Sequence, residues 1–439
     1  MNITFVGIGK LGAPMAALFA ARGHRVVGAD LNAATVKKLA AGLPPVEEPQ
    51  LAEHLVEGKA NLSATTDVEK AAAAGDIVFV IVPTDSDDEG WFSCQHVVKA
   101  CEKIGRAIAK AKTHKLVVIV STVMPGDTER HCLPALEKAA GRKVGDNWGL
   151  CYNPEFIALG SVIHDMENPD YVLIGQSDDK AGWLLQQFYA TVHKRPVRRM
   201  RFCEAELVKL AINTACTAKI SYANTLAELC ERFPGCDVDV VTEAVGLDSR
   251  IGAKYLSGGL AFGGPCFPRD TRALAALAAR VGGQAYQARA ADAVNRRQPE
   301  RIVDRLAEHL GDGAKVSVLG LAYKPDTPVV EESPSLAIIA ELLERGYVVT
   351  GYDPLAGENA RRALPKDVRI VDRMPDAVAG ADAVIVAVAS PEYGQLLPIF
   401  LNGLEPKRER PMVVLDCWRV LRAEDMPEHV TLIAIGRGT

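Results

Sequence analysis

Through residues 1–200, short apolar runs of strand length alternate with longer helix-forming stretches. Asn2–Gly7 and Arg25–Asp30 read as strands on either side of an Ala-rich helix over Leu11–Arg22. The segments Asp76–Pro83 and Leu116–Ser121 are apolar at almost every position. That pattern predicts strands buried on both faces, as in the interior of a parallel sheet. Tyr171–Gly175 reads as one more strand. Alternation of this kind implies right-handed crossovers and a doubly wound α/β sheet. From residue 201 the pattern changes. Glu204 to Arg232 has few breakers and predicts one long helix, closed by Pro234-Gly235. Asp237–Val245 predicts a second helix, and a third is expected to begin over Asp270–Ala279. Beyond residue 300 the α/β pattern returns. Lys315–Gly320, Tyr347–Asp353, Ala383–Val388 and Met412–Asp416 read as strands, with Ser335–Arg345 as a helix between the first two.

The first strand–helix junction carries chemistry. Gly7-Ile8-Gly9-Lys10-Leu11-Gly12 fits the G-x-G-x-x-G dinucleotide fingerprint in the strand-to-helix setting the fingerprint requires. Gly7 permits the tight turn, Gly9 lets the backbone approach a pyrophosphate, and Gly12 allows close helix–strand packing. The helix N-terminus then faces the phosphate charge. Asp30 ends the second strand, 18 residues after Gly12. A carboxylate there accepts hydrogen bonds from ribose hydroxyls and repels a 2′-phosphate, which favours NAD over NADP. Val82-Pro83-Thr84 and Ser121-Thr122-Val123 close two further strands with small hydroxyl residues, at the carboxyl ends where open α/β sheets bind ligands. The expected cofactor-binding set is Gly7, Gly9, Lys10, Leu11, Gly12, Asp30, Val82, Pro83, Thr84, Ser121 and Thr122. The expected layout is therefore α/β in three parts. An N-terminal Rossmann doubly wound parallel sheet covers 1–200, a central long-helix domain covers 201–298, and a C-terminal Rossmann-like α/β domain covers 299–439. In the third part, Val318-Leu319-Gly320-Leu321-Ala322-Tyr323-Lys324 has one glycine where the first has three. The nucleotide half of a substrate, with Lys324 near phosphate, fits it better than a second dinucleotide; a solvated loop lysine is the alternative.

The run Phe262-Gly263-Gly264-Pro265-Cys266-Phe267-Pro268-Arg269-Asp270 is the other chemical signal. Two glycines remove side-chain bulk beside Cys266, where a substrate could approach. Pro268 suits the first turn of a helix, which sets Cys266 just ahead of a helix N-terminus, where amide dipoles favour a thiolate. Arg269 adds positive charge, and Asp270 is four residues on, placed to orient a water or move a proton. Lys209 and Asn213 are spaced i, i+4 on the long helix and share a face, a pair able to stabilise an oxyanion. Glu155, in Asn153-Pro154-Glu155-Phe156, follows a predicted strand and could bind water or sugar. A hydride acceptor and a poised thiol in one chain suggest an oxidation that passes through a sulfur-bound intermediate.

Composition narrows the setting. A chain of 439 residues is too long for one core. Its 48% apolar and 24% charged residues are ordinary for a globular protein, and a net charge of −5 argues against nucleic-acid or anionic-membrane partners. The first residues enter a strand without a secretory signal, and no apolar run approaches the ~18 residues that span a bilayer. Ten scattered cysteines without a CxxC pair suggest neither a metal site nor a disulfide framework. The expectation is a cytoplasmic protein with reduced thiols.

Taken together, these segments resemble the UDP-glucose/GDP-mannose dehydrogenase family. The likeness spans nearly the whole chain: the fingerprint with Asp30, Val82-Pro83-Thr84, Ser121-Thr122-Val123-Met124-Pro125-Gly126, Asn153-Pro154-Glu155-Phe156, Glu206-Leu207-Val208-Lys209 with Asn213, and the Cys266 block. The Cys266 block is the specific element; the fingerprint is common to many enzymes. The resemblance implies a nucleotide-sugar 6-dehydrogenase that oxidises a sugar C6 hydroxyl to the acid with two NAD. Cys266 would be the nucleophile, forming a thiohemiacetal and then a thioester. Lys209 and Asn213 would stabilise oxyanions, and Asp270, Thr122 and Glu155 would position water and relay protons. Substrate contacts would fall to Glu155, Phe156, Lys209, Asn213, Arg250, Tyr255, Phe262, Gly263, Tyr323 and Lys324. The family's architecture implies a homodimer joined by the central helix. The chain departs from the family pattern on the substrate side. Ile157-Ala158-Leu159-Gly160 stands where Leu-Arg-Glu-Gly is frequent, and Glu331 stands where Arg is common. UDP-glucose is the expected substrate, with UDP-N-acetylhexosamine and GDP-mannose as alternatives. Two rivals stay open: a two-electron β-hydroxyacid dehydrogenase, which Gly12-Ala13-Pro14-Met15-Ala16 through Gly23-His24 also resembles, and a catalytically silent sugar-nucleotide binding protein.

Overall fold

The computed structural model describes residues 1–404 and 411–438. The chain divides into two compact units, Met1–Ala211 and Ile212–Thr439. The first is built on eight strands: β1 (Asn2–Val6), β2 (Arg25–Ala29), β3 (Leu62–Thr65), β4 (Ile77–Val80), β5 (Lys115–Ile119), β6 (Trp148–Tyr152), β7 (Val172–Gln176) and β8 (Val197–Met200). Their order in the sheet is β3-β2-β1-β4-β5-β6-β7-β8. All neighbours are parallel except β6 and β7. That antiparallel step needs no returning crossover, and only the six-residue helix Val162–Glu167 lies in the connection. Side chains of β4 and β5 alternate between two apolar layers. Ile77, Phe79, Leu116 and Val118 enter one; Val78, Val80, Val117 and Ile119 enter the other. Burial on both faces is the reason these runs are continuously apolar.

The second unit holds β9 (Lys315–Leu319), β10 (Val348–Tyr352), β11 (Arg369–Val371), β12 (Ala383–Val386), β13 (Met412–Asp416) and β14 (Val430–Ala434), in the order β11-β10-β9-β12-β13-β14. Every pairing is parallel. This is the order of the first six strands of the other sheet, and the likeness reaches individual hydrogen bonds. Asp76 accepts from the Asn2 amide at the start of β1, as Asp382 does from Lys315 at the start of β9. The Thr4 hydroxyl donates to the Ala71 carbonyl at 2.6 Å, as Ser317 does to Ala377 at 2.6 Å. Gly7 N–H donates to the Ala29 carbonyl, and Gly320 N–H to Tyr352, both at 2.8 Å.

The helices Phe202–Cys230, Val238–Leu247, Phe267–Arg280 and Tyr286–Ala307 make up the central stretch. The long helix begins two residues before its predicted start and ends at Cys230, a turn before Pro234. The helix at the thiol begins at Phe267, three residues before Asp270, with Pro268 in its first turn. Tyr286–Ala307 carries eight charged residues among its 22, which interrupt the stripe of Ala288, Ala291, Ile302, Val303 and Leu306 that it buries. Within the second unit charges join these elements. Arg301, 8% exposed, pairs with Glu231 at the end of the long helix at 2.5 Å; from the residues after β13 and β14, Arg419 takes Asp239 and Arg437 takes Asp237, each at 2.7 Å. Among the described residues, no helix is long and apolar enough to cross a membrane.

Candidate active site

In the first unit, the loop after β1 is built for close approach. Gly7 has a φ of 96°, and a Cβ there would lie 2.0 Å from the Ile81 carbonyl oxygen. A Cβ on Gly12 would lie 2.0 Å from the Gly7 oxygen, whereas one on Gly9 would meet nothing within 4 Å. Both outer glycines are thus required by the protein's own backbone, and Gly9 leaves room on the open side. The helix Gly12–Ala21 starts there with no side-chain cap and no acidic residue in its first turn. Its uncapped amides and positive dipole end suit a pyrophosphate. Asp30 accepts from Ile8 N–H at 3.0 Å and Asn32 N–H at 2.9 Å, which fixes the carboxylate beside the loop. Lys10 is exposed and Leu11 half-buried. The Ser121 hydroxyl accepts from Val82 N–H at 2.9 Å and donates to its carbonyl at 2.7 Å, locking the two strand ends together. Thr84 is buried and Thr122 half-buried at those same ends. These features fit the dinucleotide expected from the fingerprint.

The carboxyl group follows β6. Lys209 Nζ donates to the Glu155 carbonyl at 2.7 Å and stands 5.0 Å from the centre of the Phe156 ring. Glu155, Phe156 and Lys209 are therefore brought together. Tyr189 places its hydroxyl 3.1 Å from Glu155 Oε1. Removal from water pushes the Glu155 carboxyl up to about 7, against the opposing pull of the Tyr189 hydroxyl and the Lys209 charge. Glu206, fully buried one turn before Lys209, accepts from the Gly126 and Thr128 amides and so holds the turn beyond Thr122. Leu159 packs on the first apolar layer, and Ala158 is exposed.

In the second unit, Cys266 is exposed and takes the N-cap position of the helix Phe267–Arg280. Asp270 sits in that helix's first turn, fully buried, and accepts from Asn213 Nδ2 at 2.6 Å. Asn213 thus meets Asp270, whose own N–H donates to the Cys266 carbonyl at 2.8 Å. Tyr255 and Phe262 pack edge-on against Phe267, at 5.8 and 6.4 Å between centroids. Tyr255 holds a left-handed φ of 64°, an uncommon conformation for a bulky residue. Arg250 lies on an exposed turn, where Asp248 takes up its guanidinium. The space beside the two glycines differs from the expectation of open room for a ligand. A Cβ on Gly263 would lie 2.3 Å from the Glu332 carbonyl oxygen, and one on Gly264 would lie 2.5 Å from the Tyr323 ring. Gly264 N–H also donates to the Glu331 carbonyl at 3.1 Å. The chain itself fills that volume, and this close packing brings Tyr323, with Lys324 at 5.9 Å from its ring centre, against the thiol loop.

Asn224, Asn295 and Tyr189, which help to position these groups, escape the sequence reading, and Asn153 is read only as part of its motif. Asn224 accepts from Gly259 N–H and donates to the Leu260 carbonyl; Asn295 does the same for both backbone groups of Phe262. Together they fix the approach to the Cys266 turn. Asn153 and Tyr189 form the backing of Glu155. Asn224 sits buried among apolar positions of the long helix, a break in the pattern that could have marked it.

The fold, with the dinucleotide loop of the first unit, is that of an NAD-dependent oxidoreductase acting on a CH–OH group. Residues 1–193 match the NAD binding domain of the UDP-glucose/GDP-mannose dehydrogenase family, 203–297 its central domain and 317–423 its UDP binding domain. The chain belongs to the UDP-glucose/GDP-mannose dehydrogenase family. It is 38% identical over 440 residues to the UDP-glucose 6-dehydrogenase AglM of Haloferax volcanii, covering 99% of this chain and 100% of that protein. It is 30% identical to the GDP-mannose 6-dehydrogenase of Azotobacter vinelandii, covering 95% and 100%. Among solved structures, a UDP-glucose dehydrogenase from Pyrobaculum islandicum superposes with a TM-score of 0.90 at 37% identity, covering 100% of this chain and 98% of that one.

Proposed function

We propose that this chain oxidises the C6 hydroxyl of UDP-glucose to the uronic acid in two steps through Cys266. The observation that carries the reading is the exposed Cys266 at a helix N-cap, with Asp270 and its partner Asn213 in the same unit. The dipole at a helix start stabilises negative charge on sulfur. NAD, when bound, supplies the hydride acceptor for each oxidation. Once the alcohol has become an aldehyde, Cys266 Sγ adds to its carbon and the oxygen gains a proton, giving a thiohemiacetal. Loss of the second hydride and of that proton leaves a thioester. Water adds to the thioester carbon, and the C–S bond breaks to return the thiolate and release the carboxylate. Lys209 and Asn213 donate to the oxyanion of each tetrahedral species. Glu155, with a pKa of about 7, accepts and returns protons near neutrality, and Asp270 and Thr122 position the water.

The same reading assigns 1–200 to NAD, 201–298 to the central helices and 299–439 to the UDP moiety, with Arg250, Tyr255, Phe262, Gly263, Tyr323 and Lys324 toward the substrate. It joins two copies through the long helix, where Leu207, Tyr222 and Leu229 are exposed. The choice of UDP-glucose is supported by the names of AglM and the Pyrobaculum enzyme. The test is NADH yield at limiting substrate across UDP-glucose, UDP-N-acetylhexosamines and GDP-mannose. Two NADH per UDP-glucose is expected. One per substrate would indicate a two-electron dehydrogenase, and none with any sugar nucleotide would indicate a binding protein.

A further inference from the structure

We propose that Asn153 favours the protonated form of Glu155 by competing with it for the single hydroxyl proton of Tyr189. This rests on the reading of Glu155 as the proton carrier and adds two positioning residues behind it. Tyr189 ends the helix Asp179–Tyr189 and is 2% exposed. Its hydroxyl lies 2.5 Å from Asn153 Oδ1 and 3.1 Å from Glu155 Oε1. Asn153 is almost fully buried, and its Nδ2 donates to the Leu173 carbonyl at 3.0 Å, so its Oδ1 is the atom turned to Tyr189. Two acceptors therefore face one phenol, which has one proton to give. Burial and the neighbouring carboxyl push Tyr189 well above the ordinary phenol range, so it stays a donor.

The two states of Glu155 then differ in what is satisfied. Protonated Glu155 donates to the Tyr189 oxygen while Tyr189 donates to Asn153, and every group has a partner. Ionised Glu155 draws the Tyr189 proton to itself and leaves Asn153 Oδ1, buried, without one. A buried acceptor left bare is costly, so Asn153 tilts the balance toward the protonated carboxyl. The other groups facing this corner are Lys209 on the long helix, which favours the carboxylate, and His193, stacked on Tyr189 at 5.6 Å and held below the usual imidazole range by burial. Tyr171 with Asp170, and Cys151 on β6 beside Tyr189, complete the set. None of them is altered by the substitutions below.

The experiment is carbon-13 NMR of the full chain labelled at the glutamate carboxyl carbon, with the Glu155 signal identified by its loss in Glu155→Gln. Asn153→Leu, close in shape and without the acceptor, should lower the Glu155 midpoint by roughly half a unit or more. Asn153→Asp should raise it. In a Tyr189→Phe background, Asn153→Leu should leave the midpoint unmoved. No shift in Asn153→Leu, or an equal shift with Phe at 189, overturns the competition. The pH profile of NADH formation tests the underlying reading separately. Its acid limb should follow the NMR midpoint across the series. A midpoint that moves while the limb stays fixed supports the hydrogen-bond competition and removes Glu155 from the proton chemistry.

Discussion

The two parallel sheets share six strands in the same order, the same glycine turn after the first strand and the same aspartate after the second. They part at the next step of the chain. Beyond Gly7, four residues lead into the helix Gly12–Ala21, whose start has no side-chain cap and whose loop has open space at Gly9. Beyond Gly320, thirteen residues fold back before the helix Pro334–Glu344 begins, with Ser333 donating to the Leu321 carbonyl and Tyr323 N–H donating to the Val329 carbonyl. The aspartates diverge accordingly. Asp30 is half-buried and holds two amides; Asp353 is buried and accepts from four, those of Leu321, Ala322, Leu355 and Ala356. One frame thus presents a dinucleotide loop and the other covers the equivalent place with its own chain. Loop length, not sheet topology, makes the difference.

The strongest way to break this division is at the thiol. Cys266→Ser should cut acid formation by at least about 10³-fold while NAD affinity stays unchanged. A parallel loss of NAD binding, followed by fluorescence titration, would show that the division of labour is wrong. Next are the matched glycines. Gly12→Val forces a side chain onto the Gly7 backbone and should weaken NAD binding about 100-fold or more. Gly320→Val, at a φ of 89° against Val388, should lower Tm and leave the NAD Kd unaltered. The matched aspartates should separate in the same sense. Asp353→Ala strands four amides, three of them buried, and should cost about 2–4 kcal/mol in urea unfolding. Asp30→Ala should mainly relax the preference for NAD over NADP, by roughly 10-fold.

The smallest effect concerns Glu155. Folding raises this carboxyl from its usual value to about 7, so between those limits the native state holds a proton that the unfolded chain has lost. Its contribution to stability therefore falls as pH rises through that window. The Tm of the wild type relative to Glu155→Gln should drop between about pH 5 and pH 8. A flat difference would show that the carboxyl titrates at its ordinary value.

Much of the architecture was readable because its signals are local. The doubly buried strands β4, β5, β12 and β13 announce themselves by apolar runs, and β1 and β9 by runs broken only at Thr4 and Ser317 once the strand has started. The edge strands β3, β8, β11 and β14 are short and only partly buried, so their residues carry no such pattern. The helix start at Cys266 followed from Pro268, since proline in a first turn loses no hydrogen bond. The purpose of Gly263 and Gly264 did not follow. Their partners, Glu331, Glu332 and Tyr323, lie about sixty residues further along the chain, and only folding reveals that they fill the space.

The amino-acid order alone specified the class of fold, the dinucleotide loop, and the helix start that carries Cys266, because periodicity, turn chemistry and capping act within a few residues. Tertiary structure alone decided that Asn213 meets Asp270, that Ser121 locks Val82, and that Glu155 is backed by Tyr189 and Asn153. Those partners are brought together by long-range packing, and a carboxyl group's proton affinity depends on how far the fold withdraws it from water and which donors it then meets.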